Sequence, residues 1–262
     1  MSYQSVELEV RNGVAHVTLN QPDRGNPFDP LMCGEMASVA NRCGADPAVR
    51  AVLIQARGKF FSVGVDVKAL VHDRDAMPYF VQDATAGMNA ALARFARMDA
   101  PVIVAAERMV VGGGVALTAA ADFAIAGASV TFYAAYCGAG LSSDVGGTVY
   151  LPRRVGLRRA AEFLMRNQTW SAEEALGYGL ISQVVEDEDV PGAALELAEE
   201  LAAGPTRAYG EIKNLLLSTL ETPLETQLEL EAQAMLRSAR TDDAWAGMVA
   251  LSQRTKPTFT GR

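Results

Sequence analysis

Apolar and polar positions alternate with period two over residues 6–10 and 14–19, on either side of Asn12-Gly13. That pattern predicts a β-hairpin, because Asn-Gly supplies a turn that tolerates positive φ. Asp29-Pro30 reads as an N-cap followed by proline at the first helical position, opening a helix that runs to about Cys43. The unbroken apolar run AVLIQA from Ala51 predicts a buried strand. A loop, GKFFSVGVDV, starts at Gly58, and a long helix then runs from about Pro78 to Arg97. Pro101 opens a second apolar strand, VIVAA; three glycines from Gly112 open a short helix of small residues; DFAIAG from Asp122 is a third strand. Strands and helices thus alternate, which predicts an α/β fold.

The last third reads differently. Ser171-Ala-Glu-Glu174 and Thr222-Pro-Leu-Glu225 both have the sequence of a capping box. From about Ala203 the pattern is helical throughout, so the chain divides into a core over 1–202 and a helical region over 203–262. Within the latter, Leu224, Leu228, Leu230 and Met235 form no single clean stripe. This predicts an extension that packs on another surface, such as another subunit.

Half of the 262 residues are apolar, enough for a sizeable core. The formal net charge of −8, with no Lys/Arg-rich run, argues against nucleic acid and anionic lipid as partners. The opening MSYQSVELEV does not read as a signal peptide, and no apolar run approaches a membrane span. Three cysteines, Cys33, Cys43 and Cys137, lack metal spacing and fit a reducing cytoplasm. With two histidines, His16 in a strand and His72 in a polar loop, no metal site is expected.

Three stretches carry candidate chemistry. Phe61-Ser-Val-Gly-Val-Asp-Val-Lys68 turns around Gly64, and Gly112-Gly113-Gly114 lies at a strand-to-helix junction. The triplet matches neither a dinucleotide fingerprint nor a P-loop. Glycine there lets a ligand oxygen approach free backbone N–H groups at a helix start. The third stretch, Phe132 to Thr148, places Asp144 among Leu141, Val145 and small residues. Asp144 is either an N-cap or a carboxylate in an apolar pocket, where desolvation would raise its pKa and make it a usable acid or base.

In order, Leu19-Asn20-Gln21-Pro22, the Phe61 stretch, P-V-I-V-A-A from Pro101, G-G-G, the Phe132 stretch, D-V-G-G-T from Asp144 and K-P-T-F from Lys256 span nearly the whole chain. Together they resemble the crotonase (enoyl-CoA hydratase/isomerase) superfamily. The resemblance implies a spiral of ββα units with a C-terminal helical region that builds homotrimers, often paired into hexamers. It implies an acyl-CoA substrate and no separate cofactor, coenzyme A being part of the substrate. It also implies an oxyanion hole from the backbone N–H groups of Val65 and Gly113. Carried over as CoA- or acyl-proximal are Arg24, Ser62, Val63, Asp66, Lys68, Gly112, Tyr136, Lys256 and Phe259.

The departures narrow the chemistry. Family hydratases carry a glutamate two residues after the glycine triplet and another four residues after the phenylalanine equivalent to Phe132. Here those positions hold Ala116 and Tyr136. Asp144 resembles instead the catalytic aspartate of dienoyl-CoA and ring-1,2-epoxyphenylacetyl-CoA isomerases, and the nucleophilic aspartate of 4-chlorobenzoyl-CoA dehalogenases. The D-x-G-G-T-x-x-L-P-R phrase, ETQLELE and FTGR are most similar to the ring-epoxide isomerase branch. A double-bond shift needs one carboxylate to take and return a proton, as in ketosteroid isomerase. Hydration calls for groups that also hold and activate water. The expected activity is therefore isomerisation, by a double-bond shift or ring-epoxide rearrangement. A hydrolase or dehalogenase with Asp144 as nucleophile, a hydratase with a rebuilt site, and a catalytically silent CoA-binding paralogue are the alternatives.

Overall fold

The computed structural model describes residues 3–262. The hairpin forms as its pattern predicts: β1 (Val6–Arg11) and β2 (Val14–Leu19) pair antiparallel, with Asn12 and Gly13 at φ 52° and 79°. Strand β2 then lies beside β3 (Ala51–Ala56), and β5 (Val102–Ala106), β7 (Phe123–Gly127) and β10 (Gln183–Val185) continue one six-stranded sheet. Beyond the hairpin all its pairings are parallel.

The apolar runs of these strands are explained by burial on both faces. From β3, Val52 and Ile54 enter the main core, while Ala51 and Leu53 face helix α8 (Val190–Ala202). Strand β5 divides likewise, Val102 and Val104 from Ile103 and Ala105.

A second, four-stranded sheet runs β4 (Phe60–Ser62), β6 (Met109–Val111), β8 (Thr131–Tyr133) and β9 (Thr169–Ser171). Each strand has three residues, too short for alternation to show. With them the chain resolves into three ββα turns. In each, the first strand joins the large sheet and the second the small one. The helices of these turns are α2 (Val67–Leu70) with α3 (Met77–Arg97), then α4 (Gly113–Ala120), then α5 (Gly147–Val155). This is the spiral that the resemblance implied.

Helix α1 (Pro30–Ala45) starts at Asp29, whose carboxylate accepts the Met32 N–H. It packs against α3 at close range: a Cβ on Gly87 would sit 2.8 Å from the backbone carbon of Cys33. After α5 come α6 (Leu157–Met165) and α7 (Ala172–Tyr178), where Ser171 and Glu174 complete the expected capping box. The second box does not form. Pro223 is the N-cap of its helix, and the Thr222 hydroxyl donates instead to the Ser218 carbonyl.

The chain closes with α9 (Thr206–Ser218), α10 (Leu224–Ala239) and α11 (Asp242–Ser252). Helix α9 is fastened to the core by Lys213, whose Nζ donates to the carbonyls of Phe95 and Ala100 and pairs with Asp122 at 2.7 Å. Along the outer faces Ile212, Leu216, Leu220, Leu224, Leu228 and Met235 are exposed. No helix among the described residues is long and apolar enough to cross a membrane.

Removing one member of a buried ion pair leaves an uncompensated charge and two orphaned carbonyls. Lys213→Ala is expected to lower unfolding free energy by on the order of 3 kcal/mol, read from the urea midpoint at fixed protein concentration.

Candidate active site

Ligands of parallel sheets gather at the carboxyl ends of strands, where neighbouring chains leave side by side. In the small sheet β4, β6 and β8 are parallel neighbours, so their exits converge. Strand β4 ends at Ser62 and leads into Val63-Gly64-Val65; β6 ends at Val111 and leads into Gly112-Gly113; β8 ends at Tyr133 and leads through Ala134 into Ala135-Tyr136. Val63, Gly64, Val65, Gly112, Gly113, Ala135 and Tyr136 all line one cavity of about 310 Å³. Cys33 from α1, Val81, Ala84 and Thr85 from α3, Phe28, and the 139–145 loop complete its largely apolar wall.

The first exit is pinned on several sides. The Ser62 hydroxyl donates to the Asn26 carbonyl and accepts the Gly64 N–H. The Val63 N–H donates to the Gly25 carbonyl, and the Gly64 carbonyl accepts the Phe28 N–H. Arg24 pairs with both Asp29 and Asp66, the N-caps of α1 and α2. Burial raises the Asp66 pKa, but Arg24 and the capped amides outweigh it and hold the carboxyl below its ordinary value. Among the described residues the Val65 N–H has no hydrogen-bond partner.

The second exit approaches the first closely. Gly64 and Gly112 both take positive φ, 76° and 54°. A Cβ on Gly64 would stand 3.1 Å from the Val111 carbonyl oxygen, and one on Gly113 would strike the Phe28 ring at 2.7 Å. Gly113 is the first residue of α4, so its N–H is one of those a helix leaves unpaired. It has no partner elsewhere among the described residues.

Asp144 is not a helix cap. The N-cap of α5 is Gly146, and the Asp144 carbonyl accepts the Gly147 N–H across a tight turn. Val145 and Gly146 occupy its centre at φ 52° and 70°. A left-handed β-branched residue is a costly conformation that persists only where its surroundings enforce it. Here Val145 is buried in the cavity wall.

The turn leaves the carboxylate free to face the cavity, where it accepts one 3.3 Å hydrogen bond from the Thr85 hydroxyl. Desolvation raises its pKa above the ordinary aspartate value, against the opposing pull of Tyr136 and Thr85. Burial, then the charges of Asp29 and Asp144, push the Cys33 thiol up to about 12, so it is a neutral wall group. The Tyr136 hydroxyl lies near both the Asp144 carboxylate and the Ser143 hydroxyl. Neither hydroxyl completes a hydrogen bond of good geometry.

The sequence model of the enoyl-CoA hydratase/isomerase family matches residues 9–262. The chain belongs to that family. It is 34% identical to 1,2-epoxyphenylacetyl-CoA isomerase of Escherichia coli (strain K12), over 97% of both chains. It is 30% identical to 4-chlorobenzoyl coenzyme A dehalogenase-2 of an Arthrobacter species, over 89% of this chain and 85% of that one. A crystal structure of a putative enoyl-CoA hydratase/isomerase from Mycobacterium abscessus superposes with TM-score 0.92 at 35% identity, covering 98% and 100% of the two chains.

Of the residues singled out in the sequence, Val63, Val65, Gly112, Gly113, Tyr136 and Asp144 meet in this family member's cavity. Ser62, Asp66 and Arg24 stand behind it as supports, their polar groups engaged by the protein. Lys68 is exposed. Lys256 and Phe259 are not brought to the cavity within the chain. The Phe259 ring lies against Gly247 and its carbonyl accepts from Arg50. Thr85, Ser143 and Cys33 escaped sequence reasoning. Ser143 adjoins Asp144, but Thr85 and Cys33 reach the site only through the packing of α3 on α1.

A raised native pKa means the folded state binds the Asp144 proton more tightly than the unfolded chain does. The resulting stability is complete below the unfolded value near 3.8 and is lost as pH rises through the native pKa. Asp144→Asn carries no such titration. The variant should therefore gain stability relative to the parent in urea titrations as pH rises from 3.8 through the native pKa of Asp144; a difference that stays constant with pH would contradict the desolvated carboxylate.

Proposed function

We propose that this enzyme, which acts on a CoA thioester as its family does, is an isomerase with Asp144 as its single proton carrier. The observation that carries this reading is the single carboxylate in the cavity wall, lying within the same 310 Å³ space as two unpaired backbone N–H groups. Those N–H groups, from Val65 and Gly113, suit the thioester oxygen. A donor of this kind typically contributes about 3–4 kcal/mol to stabilising an enolate. Asp144 would remove a proton from one carbon next to the thioester, the electron pair passing into the enolate. The same carboxyl would return the proton to another carbon as the carbonyl reforms. The raised pKa suits a group that must both take and give a proton. Ala116, buried in α4, and Tyr136 supply no second carboxylate to hold water.

Asp144→Asn preserves shape and removes the base. Isomerisation of a 3-enoyl-CoA should fall by about 10²–10⁴-fold, with CoA binding retained. In ¹⁸O-labelled water the parent's product should carry no label; incorporation would return hydration or an aspartyl-ester route.

The exposed apolar side chains of α9 and α10 support the family's assembly for this chain, a homotrimer or a pair of them. Light scattering at micromolar concentration should give a mass of three or six chains, and a monomer would refute it.

A further inference from the structure

The cavity wall is apolar except for a few groups, and two of those do not have what a buried polar group needs. The Tyr136 and Ser143 hydroxyls are shielded from solvent and unpartnered within the protein. A buried hydroxyl left unsatisfied costs about 1–3 kcal/mol, and such groups in a native structure call for an explanation. Both stand on the Asp144 side of the cavity. They are held there by unusual backbone: Ala135, before Tyr136, has φ 62°, and Val145 has φ 52°. Gly147 must lack a side chain for Ser143 to fit, since a Cβ there would strike the Ser143 hydroxyl. Two strained residues and an obligatory glycine thus maintain two hydroxyls that lie close to each other or to Asp144 yet complete no hydrogen bond of good geometry within the protein.

We propose that Tyr136 and Ser143 bind an oxygen atom carried by the acyl group itself, so that the preferred substrates are oxygenated acyl-CoA thioesters rather than plain hydrocarbon enoyl chains. The Tyr136 hydroxyl stays protonated, because burial and the neighbouring Asp144 charge both raise its pKa. It therefore donates. Ser143 can donate or accept. A site built to bond an oxygen discriminates strongly against the analogue lacking it, whereas an apolar wall barely distinguishes the two. The inference rests on the site assignment above, that the acyl group enters this cavity, but not on isomerisation as the reaction.

The test uses saturated thioesters that cannot undergo a double-bond shift. Hexanoyl-CoA is compared with propoxyacetyl-CoA, 3-ethoxypropionyl-CoA and 4-methoxybutyryl-CoA, which place an ether oxygen at successive positions of a chain of the same length. Calorimetric titration of the full-length enzyme should find one ether bound about five- to tenfold more tightly than hexanoyl-CoA, the value of one net hydrogen bond. Tyr136→Phe, and separately Ser143→Ala, should erase most of that preference. Equal affinity for all four ligands in the parent would overturn the proposal. So would a preference that survives both substitutions. A third adverse result is an equal loss for ether and hydrocarbon ligands in Tyr136→Phe, together with an upward shift of the pH–rate profile. That would make the hydroxyl a positioning partner of Asp144. Should Asp144→Asn leave isomerisation intact while the ether preference holds, the reaction assignment fails and the oxygen site stands.

Discussion

The structure depends on one close approach of backbone to backbone, that of Gly64 to Gly112. Parallel pairing of β4 with β6 brings the two strand exits together, where a Cβ on Gly64 would stand 3.1 Å from the Val111 carbonyl oxygen and the positive φ of Gly112 disfavours a side chain. Each strand alone is three residues long and contributes little; its value lies in where it delivers the loop beyond it. Because Gly64 and Gly112 both sit at positive φ, the N–H groups of Val65 and Gly113 are turned out of the sheet's own bonding. The surrounding hydrogen bonds from Ser62, Gly25, Asn26 and Phe28 then fix the loop without using the Val65 N–H.

The opposite wall obeys a different constraint. Asp144 must be desolvated to titrate in a useful range, yet a buried carboxylate is costly unless something supports it. The fold provides a minimum of support: the nearby Tyr136 hydroxyl, one long hydrogen bond from Thr85 and no cation among the described residues. A stronger partner such as an arginine would have stabilised the charge and lowered the pKa, leaving a poor base. Arg24 shows the alternative. Its charge is committed to Asp29 and Asp66, where firm ion pairing holds two helix starts and titration serves no purpose.

Much of this was legible in the sequence, for identifiable reasons. Strands buried on both faces announce themselves as unbroken apolar runs, and the Asn12-Gly13 turn and Asp29-Pro30 cap are local chemistry. The short strands were not legible, since three residues hold no period. Thr222 misled because proline at 223 took the N-cap position, so matching residue types did not produce a box. In the site, the motifs located Val65, Gly113 and Asp144 because each is fixed by neighbours in the chain. Thr85 and Cys33 could not be found that way. Their place depends on α3 meeting α1 at Gly87, a contact between segments distant in sequence that no local pattern encodes.

Local rules fail in this protein chiefly where ligand would sit. A β-branched residue at positive φ, two hydroxyls without partners, two N–H groups left unbonded and a carboxylate with a raised pKa all line one cavity. Each is unfavourable alone, while outside the cavity such departures are scattered, as with Arg254 at φ 56° and the unpartnered Asn167 Oδ1. Such clustering is the expected mark of a site selected against local stability. It also explains why the supports are so heavily engaged. Lys213, Arg24, Ser62 and the tight α1–α3 contact lie outside the chemistry, yet they hold the frame in which an unfavourable cluster can persist. A ligand that satisfied the donors and hydroxyls together would relieve several of these costs at once. Binding selectivity at this site should accordingly track hydrogen-bonding complementarity more than the apolar area a ligand buries.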